Sequence, residues 1–277
     1  MQKRIAILYD FDCTLSDGYM QQYGLMQDFG YDDIMEFFGA NDEMAKCSQM
    51  DMCLSLMCGV VMLAKKHNKH VTREYLHSFG KDIKYYAGVK EWFDKINKVG
   101  KKRGYTIEHY IISSGLKEII EGTEIAKHFK RIYANFYAYD ENGEAFWPSQ
   151  VVNFTSKTQY IYRIRKMALD DLSSLDKINQ KMPDSEVLPF KNFIYLGDSQ
   201  TDIPSFKVIK NGGGMSICVY DENSESSHNV AQKCFIEGRV NYFTPADYRE
   251  ESDLYNLVVD YINTVITQQE EDNKKKK

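Results

Sequence analysis

Ile5-Ala6-Ile7-Leu8-Tyr9-Asp10-Phe11-Asp12-Cys13-Thr14-Leu15 begins with five apolar side chains in a row and breaks into two carboxylates two residues apart. A short apolar run with no polar alternation reads as a strand buried on both faces, the habit of a parallel sheet sandwiched between helices. In such sheets ligands bind beyond the carboxyl ends of the strands. Asp10 and Asp12 sit at such an end, which makes them the first candidates for chemistry.

Runs of the same kind recur at 107–112, 132–137, 193–196 and 215–220. Between them lie helical stripes. Val89, Trp92, Phe93, Ile96 and Val99 follow three-four spacing, as do Leu254, Leu257, Val258, Tyr261 and Val265. Alternating strand and helix predicts an α/β fold, a doubly wound, Rossmann-like parallel sheet. Residues 19–85 interrupt that rhythm with helical pattern only. Cys53, Leu54, Met57, Val60, Val61 and Ala64 share one stripe, and Thr72 reads as the N-cap of a helix carrying Tyr75, Leu76 and Phe79. The stretch is too long for a loop and is expected to be a small helical domain inserted into the core. Asn142-Gly143, among aromatic residues, predicts a hairpin. The expected division is a core of residues 1–18 and 86–267, a cap of residues 19–85, and a disordered tail at 268–277, where no apolar partner is evident.

Composition narrows the function. The chain has 277 residues, with Lys+Arg 35 against Asp+Glu 40 and a formal net charge of -5. That balance argues against a dedicated nucleic-acid partner, and no apolar run is long enough to predict a membrane span. The first residues lack the long apolar segment of a secretory signal. Six cysteines without a CxxC pair then read as free thiols, and the expected compartment is the cytoplasm.

The residues following the other apolar runs complete the picture. Ser113-Ser114-Gly115 follows the second, and Gly197-Asp198-Ser199-Gln200-Thr201-Asp202 follows the run at 193–196. Asp10, Asp12 and Asp198, with Asp202 beside them, are expected to converge on one crevice. Bare carboxylates that close raise each other's pKa. A hard divalent cation is the simplest compensation, and Mg2+ suits a site with few carboxylates and retained water. A cation beside a carboxylate nucleophile is also what phosphoryl chemistry needs.

These segments resemble the haloacid dehalogenase-like hydrolase superfamily. Asp10-Phe11-Asp12-Cys13-Thr14 is similar to its DxDx[TV] signature, Ser113 to its second motif, and Gly197 to Asp202 to its GDxxxD motif. Lys157, in Phe154-Thr155-Ser156-Lys157-Thr158-Gln159, best matches the lone lysine of the third motif, with Lys166 a weaker rival. Thr155 or Ser156 is expected to cap a helix there. The motifs occur in the family's order over most of the chain. A helical cap between motifs one and two resembles the phosphoserine-phosphatase-like branch.

The resemblance implies a Mg2+-dependent phosphatase acting on a small phosphorylated metabolite. Asp10 would be the nucleophile and Asp12 the general acid and base. Ser113 and Lys157 would hold phosphoryl oxygens. The metal site would be formed by Asp10, Asp12 through its backbone carbonyl, Asp198 and Asp202. The alternatives are a phosphomutase of the same superfamily and a non-hydrolytic phospho-acceptor module. Cys13 departs from the family, where glycine is common, and its thiol raises the question of redox sensitivity. Asp202 also reads as a first-turn helix acid, since Pro204 marks a helix start. Gly212-Gly213-Gly214 reads as a helix end rather than a phosphate loop. His67 and His70 read as a solvated end of the cap, and Cys47, Cys53 and Cys58 as cap core.

Overall fold

The computed structural model of the chain describes residues 3–170 and 176–275. Seven strands form one sheet in the order β4-β3-β2-β1-β5-β6-β7. They are β1 (Arg4–Tyr9), β2 (Thr106–Leu116), β3 (Phe129–Tyr139), β4 (Ala145–Gln150), β5 (Phe193–Gly197), β6 (Met215–Tyr220) and β7 (Tyr242–Pro245). Every pairing is parallel except β3 with β4. The five apolar runs are all strands, although β2 and β3 extend well past the runs that marked them. The short, mixed Tyr242–Pro245 carried no such mark. The expected doubly wound α/β core is therefore present.

The period-two pleat explains why β1 had to be apolar throughout. Ile5, Ile7 and Tyr9 join one buried cluster. There they meet Trp92, Phe93 and Ile96 of α5 (Val89–Lys101) and Leu254, Val258 and Ile262 of α11 (Asp253–Lys275). Ala6 and Leu8 join the cluster on the other face. It is built with Ile161 and Ile164 of α7 (Lys157–Arg165), Phe206 and Ile209 of α9 (Ile203–Asn211), and Ala231 and Cys234 of α10 (Glu225–Ile236). Because β2 and β5 flank β1 on opposite sides, the strand order reverses at β1. That reversal opens a crevice at its carboxyl end.

Residues 19–85 leave and rejoin the core at one point. Ser16 and Tyr85 form an isolated antiparallel bridge. Asp17 N–H donates to Lys84 O, and Tyr86 N–H to Leu15 O. The inserted segment contains α1 (Leu25–Asp28), α2 (Ile34–Ser48), α3 (Met52–Lys66) and α4 (Arg73–Ser78). Asp33, Asp51 and Thr72 cap the last three with side-chain oxygens, the Thr72 cap as expected. The buried face of α3 differs from the expected stripe: Ser55, Met57, Gly59, Val60 and Ala64 are buried, while Cys53, Leu54 and Val61 are only partly covered. The reason is close packing on α2. A Cβ on Gly59 would lie 2.0 Å from Asn41 Oδ1, and Ser55 Oγ donates to Asn41 O at 2.5 Å. Cys47 is exposed and Cys53 and Cys58 are half-buried, so the three thiols are not the core of the insertion.

The Asn142-Gly143 signal corresponds to the β3–β4 hairpin. Asp140 Oδ1 accepts the N–H groups of Asn142 and Glu144, and Gly143 takes a left-handed φ of 79°. The insertion is seated on this hairpin. Ala145 N–H donates to Val71 O, and Tyr137 Oη to Met57 O at 2.8 Å. His70 Nδ1 meets Glu144 Oε1 at 2.5 Å, and His67 lies by the Phe29 ring. The two histidines therefore make unrelated contacts. The two remaining short helices are α6 (Lys117–Glu121) and α8 (Asp176–Asn179). Gly212 closes α9 and Gly213 follows at φ 87°, the helix end that the triple glycine suggested. No single helix among the described residues is long and apolar enough to cross a membrane.

One expectation is corrected. Residues 268–275 are not a disordered tail but the last turns of α11. They lacked an apolar partner because their partners are polar. Gln269 is buried, donates to Asn192 Oδ1 at 2.7 Å and accepts from Tyr105 Oη at 3.1 Å. Arg103 pairs with Glu270 and Lys191 with Asp272. Residues 276 and 277 lie outside the described residues. Replacing Gln269 with Ala leaves two buried groups unpaired, so Gln269→Ala should lower unfolding free energy by about 1–3 kcal/mol. Urea denaturation measures this, and an unchanged midpoint would restore the view of a free tail.

Candidate active site

Asp10 directly follows β1, and its N–H continues the ladder to Leu196 O at 2.9 Å. Its carboxylate is held from both sides. Oδ1 accepts the Phe11 N–H at 2.7 Å, and Oδ2 accepts from Lys157 Nζ at 2.6 Å. The same ammonium donates to Asp202 Oδ1 at 2.7 Å. Lys157 and Asp202 are fully buried, and Asp10 nearly so. Lys166, the weaker rival, points elsewhere: its ammonium donates to the carbonyls of Ile178 and Gln180.

Lys157 is the first residue of α7, as expected, but the capping differs. Ser156 makes no side-chain cap bond. Asn153 takes that part instead. Its Oδ1 accepts the N–H groups of Thr155 and Ser156 at 3.1 and 2.9 Å, and its carbonyl accepts the Lys157 N–H at 3.0 Å. An Asn side chain turning back on the next backbone groups is a common way to start a helix.

Asp198 and Asp202 flank the β5 end. Gly197 makes the fold of this loop possible, since a Cβ there would lie 2.5 Å from Asp202 Cγ. With that space open, Asp202 Oδ2 reaches back to accept the Asp198 N–H at 3.2 Å. Tyr195 Oη donates to Asp202 Oδ1 at 2.8 Å, and Thr14 Oγ1 to Asp198 Oδ1 at 3.2 Å. Oxygens of Asp10, Asp198 and Asp202 all lie within 4.8 Å of one another, an arrangement able to hold a metal ion.

The Asp12 side chain stands outside that trio. Its Oδ1 accepts the Met20 N–H at 2.9 Å, at the point where the insertion begins. A Cβ on Gly115 would lie 3.2 Å from Asp12 Oδ2 and 2.0 Å from Met20 Cε, so only glycine fits there without displacing Met20. Ser113 is buried on the neighbouring β2, where its Oγ accepts the Gly115 N–H at 3.0 Å. It adjoins the β1 end through strand order, and its bond lies in the irregular end of β2, where the pairing with β3 shifts between Ile112 and Leu116.

Burial sets the protonation of this cluster. It pushes Asp12 up to about 8, helped by the charge of Asp10. It pushes Asp10 up to about 6, with Lys157 opposing and Asp202 reinforcing. Asp198 is held well above the usual carboxylate range by burial and by the neighbouring Asp202 and Asp10. Burial alone would strip the proton from Lys157, but Asp10 and Asp202 outweigh it and hold the ammonium well above the ordinary lysine value. Chemically, the arrangement offers a carboxylate fixed beside a cation, a neighbouring carboxyl that carries a proton near neutral pH, and a trio of oxygens suited to a hard cation.

Cys13 has φ 55°, a left-handed backbone that favours glycine. Burial, with Asp198 and Asp12 adding to it, pushes its thiol far above the ordinary value, so it is not a ready thiolate. Thr14 and Gly115 belonged to quoted motifs without being assigned a part. Tyr195 is the inward side of a buried strand, where nothing in the sequence separates a site residue from core.

No family model matches the sequence. An uncharacterized protein of Borreliella burgdorferi is 27% identical over 287 residues, covering 93% of this chain and 96% of its own length. Among solved structures, a HAD-family hydrolase of Salmonella enterica serovar Typhi superposes with a TM-score of 0.58 at 13% identity, over 89% of this chain and 68% of that one. Phosphoserine phosphatase in apo form gives 0.56 at 14% identity, over 92% and 98%. Its substrate-bound complex gives 0.56 at 16%, over 93% and 98%. The chain thus has the fold of the haloacid dehalogenase-like hydrolases, phosphoserine phosphatases among them.

Two outcomes follow from the site geometry. Removing Lys157 leaves two buried carboxylates facing each other, so Lys157→Ala should cost about 3–5 kcal/mol of stability in chelator-treated protein. A loss below about 1 kcal/mol in urea denaturation would contradict the buried bridge. Cys13→Gly removes the left-handed strain and should raise stability by up to about 1 kcal/mol, which a clear drop in melting temperature would refute.

Proposed function

We propose that the chain is a Mg2+-dependent phosphatase that hydrolyses a small-molecule phosphomonoester through an aspartyl-phosphate on Asp10. The observation that carries this reading is the buried Lys157 ammonium bridging Asp10 and Asp202, with Asp198 in the same oxygen trio. A structural ion pair would not need a third, half-buried carboxylate whose side chain accepts from Thr14 Oγ1 alone among the described residues. A phosphate-handling site does, because its cation must find oxygen ligands.

In this reading Asp10, Asp198 and Asp202 hold the ion, with the Asp12 carbonyl as a further ligand. The ion supplies charge neutralisation for the phosphoryl oxygens. The chain's own residues do the rest. Lys157 and the Ser113 hydroxyl bind phosphoryl oxygens and orient phosphorus toward Asp10. An Asp10 oxygen forms the new bond to phosphorus as the bond to the substrate's bridging oxygen breaks. That oxygen takes the proton carried by Asp12, so the alcohol leaves neutral. Asp12, now ionised, accepts a proton from water as the water oxygen attacks phosphorus. The phosphorus–Asp10 bond breaks, inorganic phosphate is released, and both carboxyls return to their starting states. The raised pKa of Asp12 suits this alternation between acid and base.

The leaving group would depart past the start of the insertion. Met20 holds Asp12, and the preceding Tyr19 stands edge-on to Phe38 with ring centroids 5.0 Å apart. An aromatic phosphate is therefore a suitable probe.

Purified protein with Mg2+ should release inorganic phosphate from an aryl phosphate in step with the phenol. Asp10→Asn, or an excess of EDTA, should abolish turnover. Turnover persisting in Asp10→Asn would rule out the covalent route, and phenol release without matching free phosphate would indicate a phosphoenzyme retained for transfer, as in a mutase.

A further inference from the structure

Asn153 does more than start α7. Its Oδ1 and carbonyl are occupied by Thr155, Ser156 and Lys157, and its N–H donates to Ser156 Oγ at 2.8 Å. The remaining group, Nδ2, donates to Asp51 Oδ2 at 3.0 Å. Asp51 is the N-cap of α3, and its other oxygen accepts the N–H groups of Cys53 and Leu54 at 2.9 and 3.3 Å. One carboxylate therefore starts a helix of the insertion while gripping the residue that starts the helix of the buried lysine.

The surroundings make this grip a brace rather than a loose contact. On one side α3 is tied to the hairpin, because Tyr137 Oη donates to Met57 O. On the other, the segment between β4 and Asn153 is tied to the β2 end. Val152 N–H donates to Asn135 Oδ1 at 2.6 Å, and Asn135 Nδ2 donates to Ser114 O at 2.5 Å. Cys53 Sγ also lies 3.7 Å from Val152 O. Asn153 thus lies between the insertion and the Lys157 turn, each of its polar groups is committed to one of these, and its neighbour Val152 connects through Asn135 to the Ser114 backbone of β2.

We propose that Asn153 is a positioning residue that Asp51 of the insertion holds in place, so that the insertion aims the Lys157 ammonium at the phosphoryl site. The functional consequence rests on the phosphatase reading, whereas the brace itself does not. A lysine that must meet an oxygen within hydrogen-bond distance gains from support beyond its own turn. Here that support comes from a segment 102 residues away in the chain.

The two side chains can be exchanged without removing either cap, and this gives a sharp test. In N153D the Oδ1 acceptor that starts α7 survives, but the donor to Asp51 becomes a second carboxylate facing it. In D51N the acceptor that starts α3 survives, but two amide donors face each other. In the double variant N153D/D51N the donor and acceptor are both present again with their direction reversed. Hydrogen–deuterium exchange of residues 153–160 should speed up in each single variant and return to the wild-type rate in the double. With the aryl phosphate, kcat/KM should fall by roughly tenfold in each single variant and recover to within about threefold in the double, the size expected for one coupled contact. Inhibition by inorganic phosphate should weaken and recover in parallel.

Single-variant losses that add in the double variant, or exchange rates that do not change, would overturn the brace. Restored exchange without restored kcat/KM would overturn the aiming of Lys157. If the wild-type protein shows no phosphatase activity, the functional reading fails, while the exchange measurement still decides the brace.

Discussion

One ammonium group with no access to solvent organises the carboxyl end of this sheet. Lys157 Nζ lies between Asp10 and Asp202 at 2.6 and 2.7 Å. Isolated charges at that depth would be expelled or neutralised, and an ion pair is tolerated only when the geometry is good and the remaining lone pairs are satisfied. Much of the local architecture can be understood as meeting those conditions. Gly197 leaves the room that brings Asp202 back over its own loop, Tyr195 donates to the same Asp202 oxygen that accepts the ammonium, and Phe11 N–H donates to Asp10. The lysine in turn must arrive from α7 in one orientation, which gives the Asn153 turn its importance.

The insertion and the hairpin, two separate irregularities along the chain, are one structural unit. An otherwise parallel sheet ends in the antiparallel β4, and that departure has a consequence. The hairpin projects the 137–145 segment to where Tyr137 and Ala145 bond the backbone of the insertion at Met57 and Val71. With the Ser16–Tyr85 bridge at the opposite end, the insertion is held both at its root and along its side. The start of the insertion also meets the site directly, because Met20 N–H donates to Asp12 Oδ1.

How much of this could be read from the sequence depended on the range of the forces involved. The strands and the carboxylates at their ends were legible, because burial on both faces writes an unbroken apolar run, and the parallel-sheet rule assigns chemistry to the next residues. Lys157 is legible only through its motif, and the residue that starts its helix differs from the local candidates. Thr155 and Ser156 are the better N-cap candidates by local spacing, yet Asn153 does the capping because Asp51 and Ser156 occupy its other groups. The tail shows the same limit. Gln269 looks solvated until Tyr105 and Asn192, 164 and 77 residues away, are seen to partner it. The α3 stripe was displaced by a two-helix contact at Gly59 that no single-helix periodicity contains. Local pattern reveals which faces are apolar; it does not reveal which polar groups a distant segment will satisfy.

The charge of the site follows the same division between local and distant. The chain carries a formal charge of -5, yet charges beyond about 8–10 Å are largely screened at physiological salt, so a phosphate responds to the crevice and not to the total. In the crevice, Asp10 and Asp202 flank one ammonium, with the carboxyl groups of Asp12 and Asp198 nearby. Burial raises the pKa of Asp10, Asp12 and Asp198, and a retained proton would not serve these three equally. On Asp12 a retained proton is useful, because that group faces the departing oxygen in the proposed reaction. On Asp10 it would disable the proposed nucleophile, and Asp198 has no part in the proposed reaction that a proton would serve. The crowding of oxygens from Asp10, Asp198 and Asp202 therefore calls for a cation. Those oxygens gather within 4.8 Å, while the Asp12 side chain, which needs its proton, is held apart by the Met20 N–H.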